Sequence, residues 1–161
     1  LLTESRPEII VANLDRSVAS FTLRAELFLS PELSLQYYGN PYFSAGDYES
    51  FRRVDQANSR DHSLRFDIPN VSYDPAGKNY SFDHQGSLLQ FSDPDFGFLQ
   101  YRSNLVFRWE YKPASTIYFV WSHDRSDWRQ EYHPIDSMTN DLFGLRGNNV
   151  FMLKVNYWFS L

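Results

Sequence analysis

The chain has 161 residues, no cysteine and a nearly balanced charge, 15 basic against 20 acidic side chains. That length suits one ordinary domain. The missing cysteine excludes disulfides and thiolate metal sites, and without any basic run nucleic-acid binding has no support.

No apolar stretch approaches the roughly 18 residues of a membrane helix. Yet Phe, Tyr and Trp make up 18% of the chain. A sequence that is polar on average, rich in aromatics and free of long apolar runs is what a membrane β-barrel shows, because its strands alternate between lipid and lumen. The start, "LLTESRPEII", has neither Met nor the features of a signal peptide. Leu1 is expected to be a cut in a longer protein, and Leu161 a natural end.

Period-two alternation predicts five strands. Ser17–Leu29 sets Leu23 and Leu27 on one face against Arg24 and Glu26 on the other. In Leu33–Phe43, Leu35 opposes Gln36 in the same way. Phe98–Lys112 is the clearest: Leu105, Phe107 and Trp109 alternate with Arg102, Asn104, Arg108 and Glu110. Thr116–Asp124 places Phe119 and Trp121 on its apolar side. The last, Phe151–Leu161, alternates Leu153 and Val155 with Lys154 and Asn156.

These segments run about 9 to 15 residues, whereas a tilted strand needs about 9–11 to cross a bilayer and soluble strands centre on 5 or 6. Tight Pro-containing turns (Ser30–Glu32, Pro113–Ser115) alternate with long connections (Ser44–Gly97, Arg125–Asn149). Short periplasmic turns and long outer loops are the corresponding asymmetry of outer-membrane barrels. Counting back from a periplasmic C-terminus puts both short turns on the periplasmic side.

The expected fold is therefore all-β: the C-terminal part of an antiparallel transmembrane barrel in the bacterial outer membrane, all 161 residues belonging to one domain. Single-chain barrels are usually even-numbered, so the remaining strands are expected upstream of Leu1. Leu23, Leu27, Leu35, Leu105, Phe107, Phe119, Leu153 and Val155 face lipid. Arg24, Glu26, Gln36, Arg102, Asn104, Arg108, Glu110, Lys154 and Asn156 face the lumen. Tyr37, Phe43, Trp121 and Phe151 belong near the outer rim, and Trp109, Tyr111, Tyr157 and Phe159 near the periplasmic rim, where amphipathic rings sit at headgroup level.

In the first long connection, Val71–Phe82 reads as a hairpin around Pro75 and Gly77, and "DYESFRRV" as a helical turn. In the second, Asp136 or Ser137 caps a short helix ending near Gly144.

The stretches "LSLQYYGNPYFSAGDYESF", "FLQYRSNLVFRWEYKPASTIYFVWS" and "NNVFMLKVNYWFSL" resemble the C-terminal region of a large family of uncharacterised bacterial proteins. These are predicted outer-membrane barrels with an N-terminal carbohydrate-binding module of the family-nine type. The resemblance covers most strands and few loop positions. It implies binding or passage of glycans or their breakdown products, a sugar-binding module upstream of Leu1, and no catalytic residues to carry over. It also implies that Val155, Tyr157, Phe159 and Leu161 form the terminal signal read by the barrel assembly machinery, although many such proteins end on an aromatic residue where this one has Leu.

Chemistry has few handles. His62, His84, His123 and His133 lack the spacing of a metal site, and no cofactor or metal is expected. Asp93 and Asp95 in "SDPDFG" suit a turn beside Pro94 better than acid–base work or Ca²⁺ binding. Trp128, Tyr132 and Tyr48 are candidates for stacking on sugar rings or for packing the loops. The expected partners are outer-membrane lipids, the assembly machinery and glycans. Two other functions fit the same pattern: a barrel with hydrolase activity in its outer loops, and a soluble lipocalin-like barrel that holds a ligand inside its apolar faces.

Overall fold

The computed structural model describes residues 8–159. In chain order these form β1 (Ile10–Ser20), β2 (Leu23–Ser30), β3 (Leu33–Val54), a 3₁₀ turn (His62–Leu64), β4 (Phe66–Asp67), β5 (Ser72–Asp74), β6 (Asn79–His84), β7 (Ser87–Ser92), β8 (Phe96–Lys112), β9 (Ser115–Arg129), α1 (Ile135–Gly144) and β10 (Asn148–Asn156). The chain divides into two compact units. One holds the described residues up to Arg16, with Gly46–Phe96 and Gln130–Tyr132; the other holds Ser17–Ala45, Gly97–Arg129 and the described residues from His133.

The large sheet runs β1-β3-β8-β9-β10, with β2 and β4 also paired to β3. β2 with β3, β8 with β9 and β9 with β10 are antiparallel. β3 and β8 also run oppositely, because Tyr37 meets Tyr101 while Tyr42 meets Phe98. This is an all-β, antiparallel sheet, and it is open: among the described residues it does not close into a barrel, and β10 has no partner beyond β9. The final signal residue, Leu161, lies outside the described residues, as does Leu1. Tyr157 and Phe159 follow the end of β10 instead of lying within a strand.

The three central strands are longer than expected, while β2 and β10 are shorter, at 8 and 9 residues. β3 reaches 22 residues, β8 17 and β9 15, so "DYESFRRV" continues β3 and is not helical. The stretch expected as one strand, Ser17–Leu29, is broken at Phe21–Thr22, and Pro41 supplies the reason. Phe21 N–H donates to the Pro41 carbonyl at 3.1 Å, but Pro41 has no N–H to return. The Asn40 side chain replaces it, its Nδ2 donating to the Phe21 carbonyl and to Thr22 Oγ1, each at 2.9 Å. The ladder is interrupted, yet no carbonyl is stranded.

The predicted turns and helix are present. Pro113 and Ala114 join β8 to β9, with Ala114 in the left-handed region (φ 58°) and its N–H held by Glu110 at 3.1 Å. Helix α1 is capped differently from expectation: Pro134 is its N-cap and makes no side-chain cap bond, while Ser137 Oγ donates back to the Pro134 carbonyl at 2.7 Å.

The other unit carries the small sheet β5-β6-β7, in which the expected hairpin pairs Ser72–Asp74 with Asn79–Ser81. Its rings pack as a cluster, Tyr80 lying 4.7 Å from both Phe51 and Tyr73 and 5.4 Å from Phe91 between ring centroids. Edge-on and offset rings at such distances are the favoured aromatic geometry.

Candidate functional site

The register of the large sheet sorts the predicted residues onto two faces. Leu27 pairs with Leu35, Phe107 with Phe119, Phe119 with Leu153 and Ile117 with Val155, which puts the residues expected to face lipid on one side with Leu23 and Leu105. Glu26 pairs with Gln36, Arg102 with Asp124, Arg108 with Tyr118, Tyr118 with Lys154, and Glu110 with Thr116 and hence Asn156. These make the opposite side, together with Arg24 and Asn104.

The polar side is held together by its own charges. Gln36 Nε2 donates to Glu26 at 2.6 Å, Arg108 pairs with Glu110 at 2.9 Å, and Asn156 donates to Thr116 at 3.2 Å. Arg24 lies over the Tyr38 ring and Lys154 over the Tyr118 ring, at 5.5 and 5.9 Å, within cation–π range. Arg24, Glu26, Gln36, Tyr38, Asn104 and Val106 line an open groove of about 460 Å³. The face is not uniformly polar: Phe28, Val150 and Met152 share it and are exposed. At its far end Tyr42, Phe98 and Trp128 form a row, with ring centroids 6.0 and 6.1 Å apart. Trp128 is 63% exposed.

The apolar side is in two parts. Leu23, Leu27, Phe119, Phe151, Leu153 and Val155 are exposed. Further along the strands, Phe43, Ala45 and Leu99 are buried beneath Met138 and Leu142 of α1. Phe43 is therefore core and not a rim residue, because a helix that sequence periodicity did not position folds over it.

Between the two parts lies a band of hydrogen-bonded polar tips. The Tyr37 and Tyr101 hydroxyls share a bond of 2.5 Å. Asn149 Oδ1 accepts from Trp121 Nε1 and from His123 Nδ1, both at 2.9 Å. Arg125 Nε donates to His123 Nε2 at 2.9 Å, which makes Nε2 the unprotonated nitrogen and fixes the tautomer.

Little else is arranged for chemistry. Among the described residues no group of three or more His, Asp or Glu side chains converges as a metal site would require. His133 sits 3.5 Å from Asp141, and His62 packs against Phe66. In the smaller unit, Asp93 is buried, accepting from the Tyr73 hydroxyl at 2.9 Å and from Asp95 N–H at 3.1 Å. Burial, reinforced by Asp93, Asp47 and Glu49, raises the Asp95 carboxyl above its ordinary range, opposed by the bond it accepts from Tyr48 N–H. Burial and the charges of Asp93, Asp95 and Asp47 push the Tyr80 phenol up to about 12. Asp93 and Asp95 are thus the turn-forming pair in front of β8.

No family model matches the chain, and no curated protein or solved structure matches it either.

Proposed function

We propose that the large sheet is a section of a transmembrane β-barrel of the bacterial outer membrane, with its apolar side against lipid, its charged side towards the lumen and the C-terminus in the periplasm. The observation that carries this reading is the apolar side of the sheet, on which exposed Leu23 and Leu27 at one margin and exposed Phe119, Phe151, Leu153 and Val155 at the other are joined by half-buried Leu35, Leu105 and Phe107, backed on the other side by Arg24, Glu26, Arg102, Arg108 and Lys154. In water such a patch invites association, whereas against hydrocarbon it costs nothing. The soluble lipocalin-like alternative would put the same band inside around a ligand.

Fractionation separates the two. The intact protein is expected in the outer-membrane fraction, released by detergent and not by high salt or carbonate. Recovery in the soluble periplasm would end the barrel reading.

Within this reading the lumen handles glycans or their breakdown products, which the family resemblance suggests and the Tyr42–Phe98–Trp128 row favours. Flat apolar rings flanked by hydrogen-bonding groups form the kind of lining that orients a small polar ligand, and Asp124 and Ser126 lie on the same side of β9 as Trp128. Trp128→Ala is expected to weaken the block of ion conductance by oligosaccharides about 10-fold, taking a lost stacking contact as ~1.4 kcal/mol. Unchanged block in planar bilayers would remove sugar stacking at this row and leave the barrel intact. Nothing in the arrangement favours the hydrolase alternative.

A further inference from the structure

We propose that α1 is a membrane-surface helix: it covers the apolar side of the sheet immediately beyond the outer boundary of the hydrocarbon and sets the Phe143 ring among the lipid headgroups. The inference rests on the barrel reading and adds a lipid contact outside the strands.

The boundary follows from strand length. A tilted strand crosses in about 9–11 residues. Counting about ten or eleven from the periplasmic turn brings β8 to Arg102, β9 to Asp124 and β3 to Tyr42, and Arg102 and Asp124 are register partners. Next to that level on the apolar side stand Tyr101, His123 and its register partner Asn149, and the Tyr37 hydroxyl and Trp121 Nε1 reach up from below to hydrogen-bond Tyr101 and Asn149. Rings with an apolar body and a polar tip belong at the headgroup level.

β8 and β9 do not stop there. The next residues on the apolar side, Leu99, Phe43 and Ala45, would meet water, and Met138 and Leu142 of α1 bury them completely or nearly so. The helix thus begins where lipid ends.

The orientation of α1 is set by its two flanks. Asp141 pairs with Arg129 at 2.6 Å and lies 3.5 Å from His133, and Arg129 is further from the membrane than Arg125 on the same strand. On the opposite flank Phe143 comes within 6.3 Å of the Tyr101 ring and is 69% exposed. The charged flank therefore points away from the bilayer and the aromatic flank towards it. Arg125 Nη1 fixes the helix end by donating to the Phe143 carbonyl at 2.9 Å. Gly147, just beyond, leaves room for the His123 ring, with which a Cβ would collide. An interfacial helix with an apolar flank in the headgroup boundary needs no further partner.

The test exploits the absence of cysteine. Single nitroxides at Phe143→Cys, Ser137→Cys (one turn before Asp141 on the charged flank) and Leu153→Cys are compared in the intact protein reconstituted in phosphatidylcholine vesicles. Collision with oxygen, which concentrates in lipid, is set against collision with a water-soluble nickel chelate. The expected result is oxygen-dominated relaxation at position 153, an oxygen-to-nickel ratio at 143 several-fold above that at 137, and nickel-dominated relaxation at 137. If 153 reports lipid while 143 matches 137, the surface-helix proposal is overturned and the barrel stands. Protection of 143 from both quenchers means a protein covers it, which overturns the proposal as well. Water exposure at 153 removes the barrel reading and this inference with it.

Discussion

On the proposed barrel reading, replacing Phe107 by Arg is expected to remove most of the protein from the outer membrane, whereas Asn104→Arg, three residues away on the other side of the same strand, should leave assembly close to normal. Half-buried Phe107 pairs with Phe119 in the middle of the apolar side. An arginine on the lipid side of a barrel near the bilayer midplane costs about 2–4 kcal/mol, on the order of 30- to 1,000-fold in the assembled fraction at equilibrium. Asn104 lines the groove that already holds Arg24 and Glu26, so an added cation there stays in water beside a carboxylate. Heat-modifiable mobility on gels, which separates folded from unfolded barrels, measures both variants. Equal effects on the two sides would mean that hydrocarbon does not select between them.

Leu99→Ala is the second large effect. Leu99, Met138 and Leu142 are each fully buried, so truncation leaves a void that α1 cannot fill without leaving the sheet. Such core truncations cost about 2–5 kcal/mol. The loss should be local, appearing as hydrogen exchange of the Ile135–Gly144 amides faster by about 30-fold or more at ~2 kcal/mol, with the exchange of β9 and β10 amides unchanged. Leu105→Ala, six residues on and on the side the barrel reading turns to lipid, should cost well under half as much, because in that reading acyl chains fill the space that a side chain vacates. A comparable loss at both positions would indicate that Leu105 is packed against protein too.

Much of the sheet was legible because period-two alternation is a direct record of two environments. Leu105, Phe107, Arg108 and Glu110 announce their sides by chemistry alone, and the tight turns at Pro31 and Pro113 punctuate the strands. The hairpin at Val71–Phe82 and the helix near Asp136 were signalled by turn residues.

What escaped did so for physical reasons. "DYESFRRV" carries helix-compatible residues, yet it extends β3 because its neighbours Ile9 and Phe66 supply ladder partners that local propensity does not register. The break at Phe21–Thr22 depends on Pro41, some twenty residues away. Phe43 looked like a rim aromatic because alternation says which side a residue faces but not what covers it. The Trp121–His123–Asn149 cluster joins two strands through a register that no local pattern reveals, although three polar residues on an otherwise apolar parity were its visible trace. The Tyr42–Phe98–Trp128 row was glimpsed only in Trp128, since rings on three different strands align only once pairing is known.

The open margins of the large sheet carry a last consequence. On the barrel reading, five ribbons paired up-and-down leave the Ser17–Ser30 margin and Asn148–Asn156 running in the same sense across the sheet. A ring completed by antiparallel pairing alone must therefore admit an odd number of extra ribbons, the first and last of them opposed in sense to both margins. Two copies of this sheet set side by side in one orientation would meet in parallel at each seam, so simple self-pairing in a membrane is an unfavoured way to complete the circle.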